Sequence, residues 1–172
     1  MTTVLVTGPI GGGKSTVCRY LEAAGHPVYD CDSRCKALYD SVPGLKAEIE
    51  RELGIPFGEL RRIFDDAAKR EMLEAMVYPL LAADLKEWKG AQNTELAFVE
   101  SAIMLQKPVF DGLYDSVLLV TAGRTRRISR NPAAVQRDGL QSFDTEKIDY
   151  TIRNSSTKEA LDKRIDKYLA QL

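Results

Sequence analysis

The chain has 172 residues, enough for one domain with a real core and a small insertion. Its 24 basic residues balance 25 acidic ones, so no overall field favours nucleic acid or a membrane surface, and any anion site has to be built locally. No apolar run nears the roughly 18 residues of a membrane span. The three cysteines, Cys18, Cys31 and Cys35, lack paired metal-ligand spacing, so the expectation is an intracellular soluble protein with reduced, packing thiols.

The first element is a buried strand, Val4-Leu5-Val6-Thr7, which delivers the chain to Gly8-Pro9-Ile10-Gly11-Gly12-Gly13-Lys14-Ser15. This segment completes the pattern G-x-x-x-x-G-K-S/T in its proper context, between a strand and a helix. A turn so rich in glycine lets backbone N–H groups approach phosphate oxygens with no Cβ in the way. Gly8, Ile10, Gly11, Gly12, Gly13, Lys14, Ser15 and Thr16 are therefore the candidate phosphate-binding residues, with Lys14 reaching the β/γ-phosphates and the Ser15 hydroxyl placed for Mg²⁺. The following helix, about Lys14 to Ala24, adds the positive end of its dipole.

Val28-Tyr29 opens a second strand that runs at once into Asp30-Cys31-Asp32. In an open α/β sheet the residues just past a strand's carboxyl end face the ligand crevice, which places both acids for chemistry. Leu45 to Leu53 reads as an amphipathic helix between Pro43-Gly44 and Gly54-Ile55-Pro56. From Glu59 to Trp88 the pattern is helical, with Pro79 marking a kink or boundary. Glu95 to Val99 is the third strand, ending in Glu100, and Ser116 to Thr121 is the fourth. Between Gly123 and Gln141 the composition changes to Arg124, Arg126, Arg127, Arg130 and Arg137 with few large apolar residues, which reads as an exposed, mobile, phosphate-seeking segment. Ile148 to Ile152 forms the last strand, and Thr157 caps a closing helix whose Leu161, Ile165 and Leu169 share a face. The alternation predicts a doubly wound α/β domain of the P-loop type with about five parallel strands. It spans residues 1–172, with a helical substrate-binding insertion over 33–92 and an arginine-rich lid over 123–142.

A phosphate loop is shared by kinases, switch GTPases, ATPases and helicases. No guanine-reading Asn-Lys-x-Asp segment follows here, and the chain is short for a helicase or transport ATPase. A small chain with a helical insertion and an arginine-rich segment fits a kinase of small molecules, whose lid arginines neutralise the transferring phosphoryl group and exclude water.

Gly8 to Thr16, Asp30-Cys31-Asp32, Glu100-Ser101-Ala102-Ile103, the pair Arg137 and Gln141, and Tyr150-Thr151-Ile152-Arg153-Asn154 occur in the order found in dephospho-CoA kinases, and the chain resembles that family over nearly its whole length. The resemblance implies a cytoplasmic enzyme that uses ATP and Mg²⁺ to phosphorylate the ribose 3′-hydroxyl of dephospho-CoA, the last step of coenzyme A biosynthesis. It implies Asp32 as general base, Lys14 and Arg137 on the phosphates, Gln141 as the companion of Arg137, Arg126 and Arg130 as upstream lid arginines, and Asn154 near the adenine of ATP. Asp30 would support a Mg²⁺ water or Lys14, and Glu100 would act on the metal through water or lie near the substrate. The chain departs from the family pattern at Tyr78-Pro79, where a histidine usually precedes the proline, and at Gln106, where an acid is usual. The residues themselves leave two other readings open: a kinase of the same fold acting on a nucleoside or nucleotide, and a non-catalytic relative that binds ATP or CoA species.

Overall fold

Strands with apolar residues on both faces need cover on both sides, and here they assemble into one parallel sheet. The computed structural model describes residues 1–137 and 143–172, with Phe64, Gln136 and Arg137 described by backbone alone. Strands β1 (Thr2–Thr7), β2 (Val28–Asp30), β3 (Leu96–Glu100), β4 (Ser116–Thr121) and β5 (Tyr150–Arg153) lie in the order β2-β3-β1-β4-β5, every neighbouring pair parallel. Their carboxyl ends therefore share one edge. That edge brings together the residue after Thr7, the acids Asp30 and Glu100, which are register partners, and Arg153 with Asn154 beyond it.

One face of the sheet packs against α1 (Lys14–Ala23) and α7 (Lys158–Leu169). Val4, Val6, Phe98, Leu118, Val120 and Ile152 from the strands meet Val17, Cys18 and Leu21 of α1 and Leu161, Ile165 and Tyr168 of α7 in a single buried cluster. The spacing of Leu161 and Ile165 puts both on that face, and Leu169 packs at its margin. Thr157 caps α7 as expected, its hydroxyl accepting the Ala160 N–H at 3.4 Å.

Strand entry is fixed by two aspartates in the same manner. Asp115 donates its N–H to the Thr3 carbonyl at 2.8 Å, while its carboxylate accepts the Thr3 N–H at 2.7 Å. Asp149 repeats the bracket on Val117, donating at 3.0 Å and accepting at 2.7 Å. Each side chain takes the place of the next ladder bond, so β5 begins at Tyr150 rather than at Ile148.

The chain divides into two compact units: residues 1–30 with 92–172, which hold the sheet, and residues 31–91. The second unit is helical. It contains α2 (Cys31–Ser41), α3 (Leu45–Leu53), a 3-10 helix (Phe57–Asp65) and α4 (Ala67–Gly90). Leu45, Ile49, Leu53, Ile63 and Val77 form its core. Helix α3 has the expected bounds, but the helical span from Glu59 is two elements. Asp66 divides them, because its carboxylate caps α4 by accepting the Lys69 N–H at 3.0 Å. Pro79 is not a boundary: α4 runs through it, forgoing the one backbone bond that a proline cannot donate. On the second unit's surface Arg34 holds Asp84 in a two-pronged pair, Nε to Oδ2 at 2.8 Å and Nη2 to Oδ1 at 2.5 Å. Among the described residues no helix is long and apolar enough to cross a membrane.

Candidate nucleotide site

The loop after β1 folds on its own carbonyls. Gly12 donates its N–H to Pro9 O at 3.0 Å, and the Lys14 ammonium curls back to the Gly8 carbonyl at 3.0 Å. Thr16 and Val17 both donate to Gly13 O at 3.1 Å, which starts α1. Gly13 is the N-cap, and no side chain caps the helix there, so the first turn presents its N–H groups and the positive end of its dipole. An anion is the partner such an end takes best.

An open pocket of about 240 Å³ lies over this turn, lined by Gly11, Gly13, Lys14, Ser15, Thr16, Arg130 and Asn131. Gly8, Gly12 and Ile10 shape the loop around it without lining it. Arg130 ends α5 (Arg124–Arg130), and Asn131 ends the helix in an extended conformation ahead of Pro132. Every residue of α5 is at least partly exposed, as the arginine-rich composition predicts, yet the segment is tied down. Arg126 Nη1 donates to Ser156 O at 3.1 Å, Arg127 Nε to Ala122 O at 3.2 Å and Arg130 Nη1 to Gly11 O at 3.2 Å. Arg137 closes α6 (Ala134–Arg137), but its side chain, like all of Gln141, lies outside the described residues.

Parallel pairing of β1 with β3 carries Glu100 to the side of the loop. The Ser15 hydroxyl donates to Glu100 Oε1 at 2.8 Å, and the Cys18 thiol one helical turn later bonds to the same carboxylate. Burial raises the Glu100 pKa above the usual carboxylate range; the Ser15 bond and the Lys14 charge pull it down, and Asp30 on the neighbouring strand pushes it up. Burial, with Glu100 beside it, drives the Cys18 thiol far above its ordinary value, so that thiol stays protonated. Serine and carboxylate oxygens at this spacing are hard donors of the kind Mg²⁺ and its water shell accept. Among the described residues no cluster of three acids, histidines or cysteines forms a metal cage.

Asn154 follows β5 and is 5% exposed. Its Nδ2 donates to the Gly12 carbonyl at 3.2 Å, and its backbone N–H donates to Thr121 O at 2.6 Å. Asp32 stands in the first turn of α2, two residues past the end of β2 and in the second unit. There Cys35, Tyr39 and Tyr78 form a half-buried polar group, with Cys35 Sγ 3.7 Å from the Tyr39 hydroxyl and Tyr78 bonded to Glu74. Burial raises the pKa of all three.

The structure thus brings together the loop residues, Ser15, Glu100, Arg130 and Asn154 in the first unit. Sequence reasoning did not single out the Cys18 bond to Glu100 or the place of Asn131 beside the loop. The first needs the β1–β3 pairing, which no local pattern encodes; the second needs the end of α5 to be set beside the loop, which the arginine-rich composition does not specify.

A family model described as dephospho-CoA kinase matches residues 2–166. The chain belongs to that family. A dephospho-CoA kinase of Porphyromonas gingivalis is 35% identical over 81% of this chain and 71% of its own length. The crystal structure of TT1252 from Thermus thermophilus superposes with a TM-score of 0.80 at 27% identity, covering 99% of this chain and 97% of that one. A dephospho-CoA kinase from Campylobacter jejuni shares the fold with a TM-score of 0.69 at 19% identity, over 98% of this chain and 96% of that one. Membership makes this chain an ATP-dependent kinase with dephospho-CoA as its acceptor, built on the expected five-stranded P-loop fold.

Proposed function

We propose that this dephospho-CoA kinase transfers the γ-phosphoryl group of ATP to the ribose 3′-hydroxyl with the loop Gly8, Ile10, Gly11, Gly12, Gly13, Lys14, Ser15 and Thr16 holding the phosphates. The observation that carries this reading is the arrangement of an intact phosphate loop at an uncapped helix start, with Ser15 bonded to Glu100, in a chain of this family. Ser15, with Glu100 and Asp30 behind it, would hold Mg²⁺ and its waters, and the ion would supply charge neutralisation to the phosphates. Lys14 balances charge on the β/γ-phosphates, and Arg137 does so from the lid side. Asn154 serves the ATP side of the site.

Asp32 accepts the proton of the ribose hydroxyl as its oxygen forms a bond to the γ-phosphorus. The bond from that phosphorus to the β–γ bridging oxygen breaks in the same displacement, leaving ADP. An alcohol is a poor nucleophile at neutral pH, and a carboxylate within hydrogen-bond reach both orients it and takes its proton. The helical segment over 33–92 binds the acceptor, the lid covers 123–142, and the enzyme works in the cytoplasm.

The test is incubation of purified protein with ATP, Mg²⁺ and dephospho-CoA, with ADP release coupled to mass detection of the acceptor product. The expected result is coenzyme A and ADP in equal amounts, abolished by EDTA. ADP formation with a nucleoside panel but none with dephospho-CoA would overturn the assignment of the acceptor. Loss of ATP binding together with turnover in Asp32→Asn would overturn the role given to that residue.

A further inference from the structure

Asn154 does more in this structure than stand near a nucleotide. Its side chain is buried beneath the phosphate loop and does not line the pocket. One end, Nδ2, donates to the Gly12 carbonyl at 3.2 Å. The other end, Oδ1, lies 3.5 Å from Arg130 Nη2, and the Asn154 carbonyl is at the same distance from that nitrogen. Arg130 in turn donates through Nη1 to the Gly11 carbonyl at 3.2 Å. The space Asn154 fills belongs to the loop: a Cβ on Gly13, whose φ is +103°, would fall 2.0 Å from Asn154 Nδ2.

Two consecutive loop carbonyls are therefore held by one asparagine and one arginine that also meet each other. A trans peptide points its C=O and N–H in opposite directions, so fixing the Gly12 carbonyl on Asn154 fixes the Gly13 N–H. Because the Gly12 carbonyl faces Asn154, that N–H faces away from the asparagine, and Gly13 is among the residues that line the pocket. Left unfastened, either carbonyl could rotate its negative end toward an incoming phosphate. Preset dipoles avoid that cost at the moment of binding.

We propose that Asn154 is a positioning residue, a clasp that ties back the Gly12 carbonyl and seats the Arg130 guanidinium over the phosphate loop, so that a polyphosphate meets an N–H and a cation already in place. The proposal rests on the reading that the loop holds ATP phosphates and is independent of the acceptor. Its ligand is the phosphate chain, not the base.

The test is a double-mutant cycle on ligand binding with no acceptor present, using Asn154→Leu, Arg130→Met and the pair. Affinities for ATP and for inorganic tripolyphosphate, both with Mg²⁺, are read by displacement of a fluorescent nucleotide. Each single change is expected to weaken both ligands by about tenfold, and the pair to fall short of the product of the two losses by at least about threefold. Losses that multiply within error would overturn the clasp. So would a loss confined to ATP with tripolyphosphate unaffected, since the side chain would then be reading the base. If Asn154→Leu does not fold, Asn154→Ser removes the same donor at a smaller volume and carries the cycle. A wild-type chain that makes coenzyme A while its cycle is multiplicative refutes the clasp and leaves the activity standing; a chain that shows the coupling but makes no coenzyme A does the reverse.

Discussion

Replacing Gly8 with alanine tests how tightly the phosphate loop is fitted to the sheet. Gly8 has φ +144°, and a Cβ there would lie 2.0 Å from the Val120 carbonyl oxygen and 3.0 Å from its carbon. That is roughly 1.5 Å inside an ordinary contact of about 3.5 Å. Nothing flexible can yield, because the colliding atoms are backbone and Val120 is fully buried on β4 between β1 and β5. The backbone conformation costs an L-residue about 1–3 kcal/mol, and the displaced packing adds about 1–3 kcal/mol. At about 2–4 °C per kcal/mol for a chain of this size, the expected fall in melting temperature is about 5–20 °C. Gly25→Ala is the control, with φ +91° and nothing within 4 Å of the added carbon. It bears only the backbone term and should fall by about 2–12 °C, less than Gly8→Ala. Thermal denaturation followed by far-UV circular dichroism, without nucleotide, compares the two. A Gly8→Ala protein that melts with or above Gly25→Ala would refute the argument that the loop is pressed against β4.

Three further outcomes are expected. Lys14→Ala removes the ammonium that sits 3.0 Å from Gly8 O at the pocket wall, and should lower turnover by a factor on the order of a hundred or more in the coenzyme A assay. Asp32→Asn should lose turnover on a similar scale while its affinity for ATP, read by calorimetry, stays within about twofold of wild type. Glu100→Gln should be more stable than wild type at neutral pH and less active. Burial raises the Glu100 pKa, so the folded chain holds that proton more tightly than the unfolded chain does. The penalty for its charge is absent below the ordinary glutamate pKa of about 4.3, grows as pH rises through the raised value and persists above it. The gap in melting temperature between variant and wild type should therefore be open near pH 8 and close toward pH 4, and a gap that does not change with pH would contradict the shift.

The elements whose signal is local were legible in the sequence. Helix α3 has the expected bounds because Gly44 and Gly54 stand at its two ends, and β4 because Val117 to Val120 form an unbroken apolar run between polar ends. The loop between β1 and α1 was legible because its glycines, ahead of Lys14-Ser15 at the helix start, read as a turn that needs glycine conformations. What escaped depended on partners distant in sequence. Cys18 reads as a packing thiol until β1 pairs with β3 and brings Glu100 to it. Asn154 reads as a residue past a strand end; only the crossing of β5 beside β4, and of β4 beside β1, sets its amide under Gly12. The break at Asp66 was a missed local signal, since an acid before Ala67-Ala68-Lys69 is an ordinary helix start.

Two costs carried by the first unit fall together at the carboxyl edge of the sheet. Glu100 is kept partly out of water, its pKa raised, beside Asp30, an arrangement that burial and like charge both oppose. Gly8, Gly11 and Gly13 take positive φ within six residues, and neither Gly8 nor Gly13 can accept a side chain in the space given. Elsewhere on the same strands the side chains are mostly apolar packing, and the aspartate brackets at the opposite edge satisfy the backbone groups of Thr3 and Val117. A fold selected for stability alone would have no use for a glycine-only loop against a buried acid. Anion binding explains both, because phosphates need bare N–H groups that only such a loop exposes, and a cation brought with them would relieve the charge on Glu100 and Asp30. Ligand binding should therefore stabilise this unit by more than phosphate contacts to the loop alone supply, and the excess should vanish in Glu100→Gln.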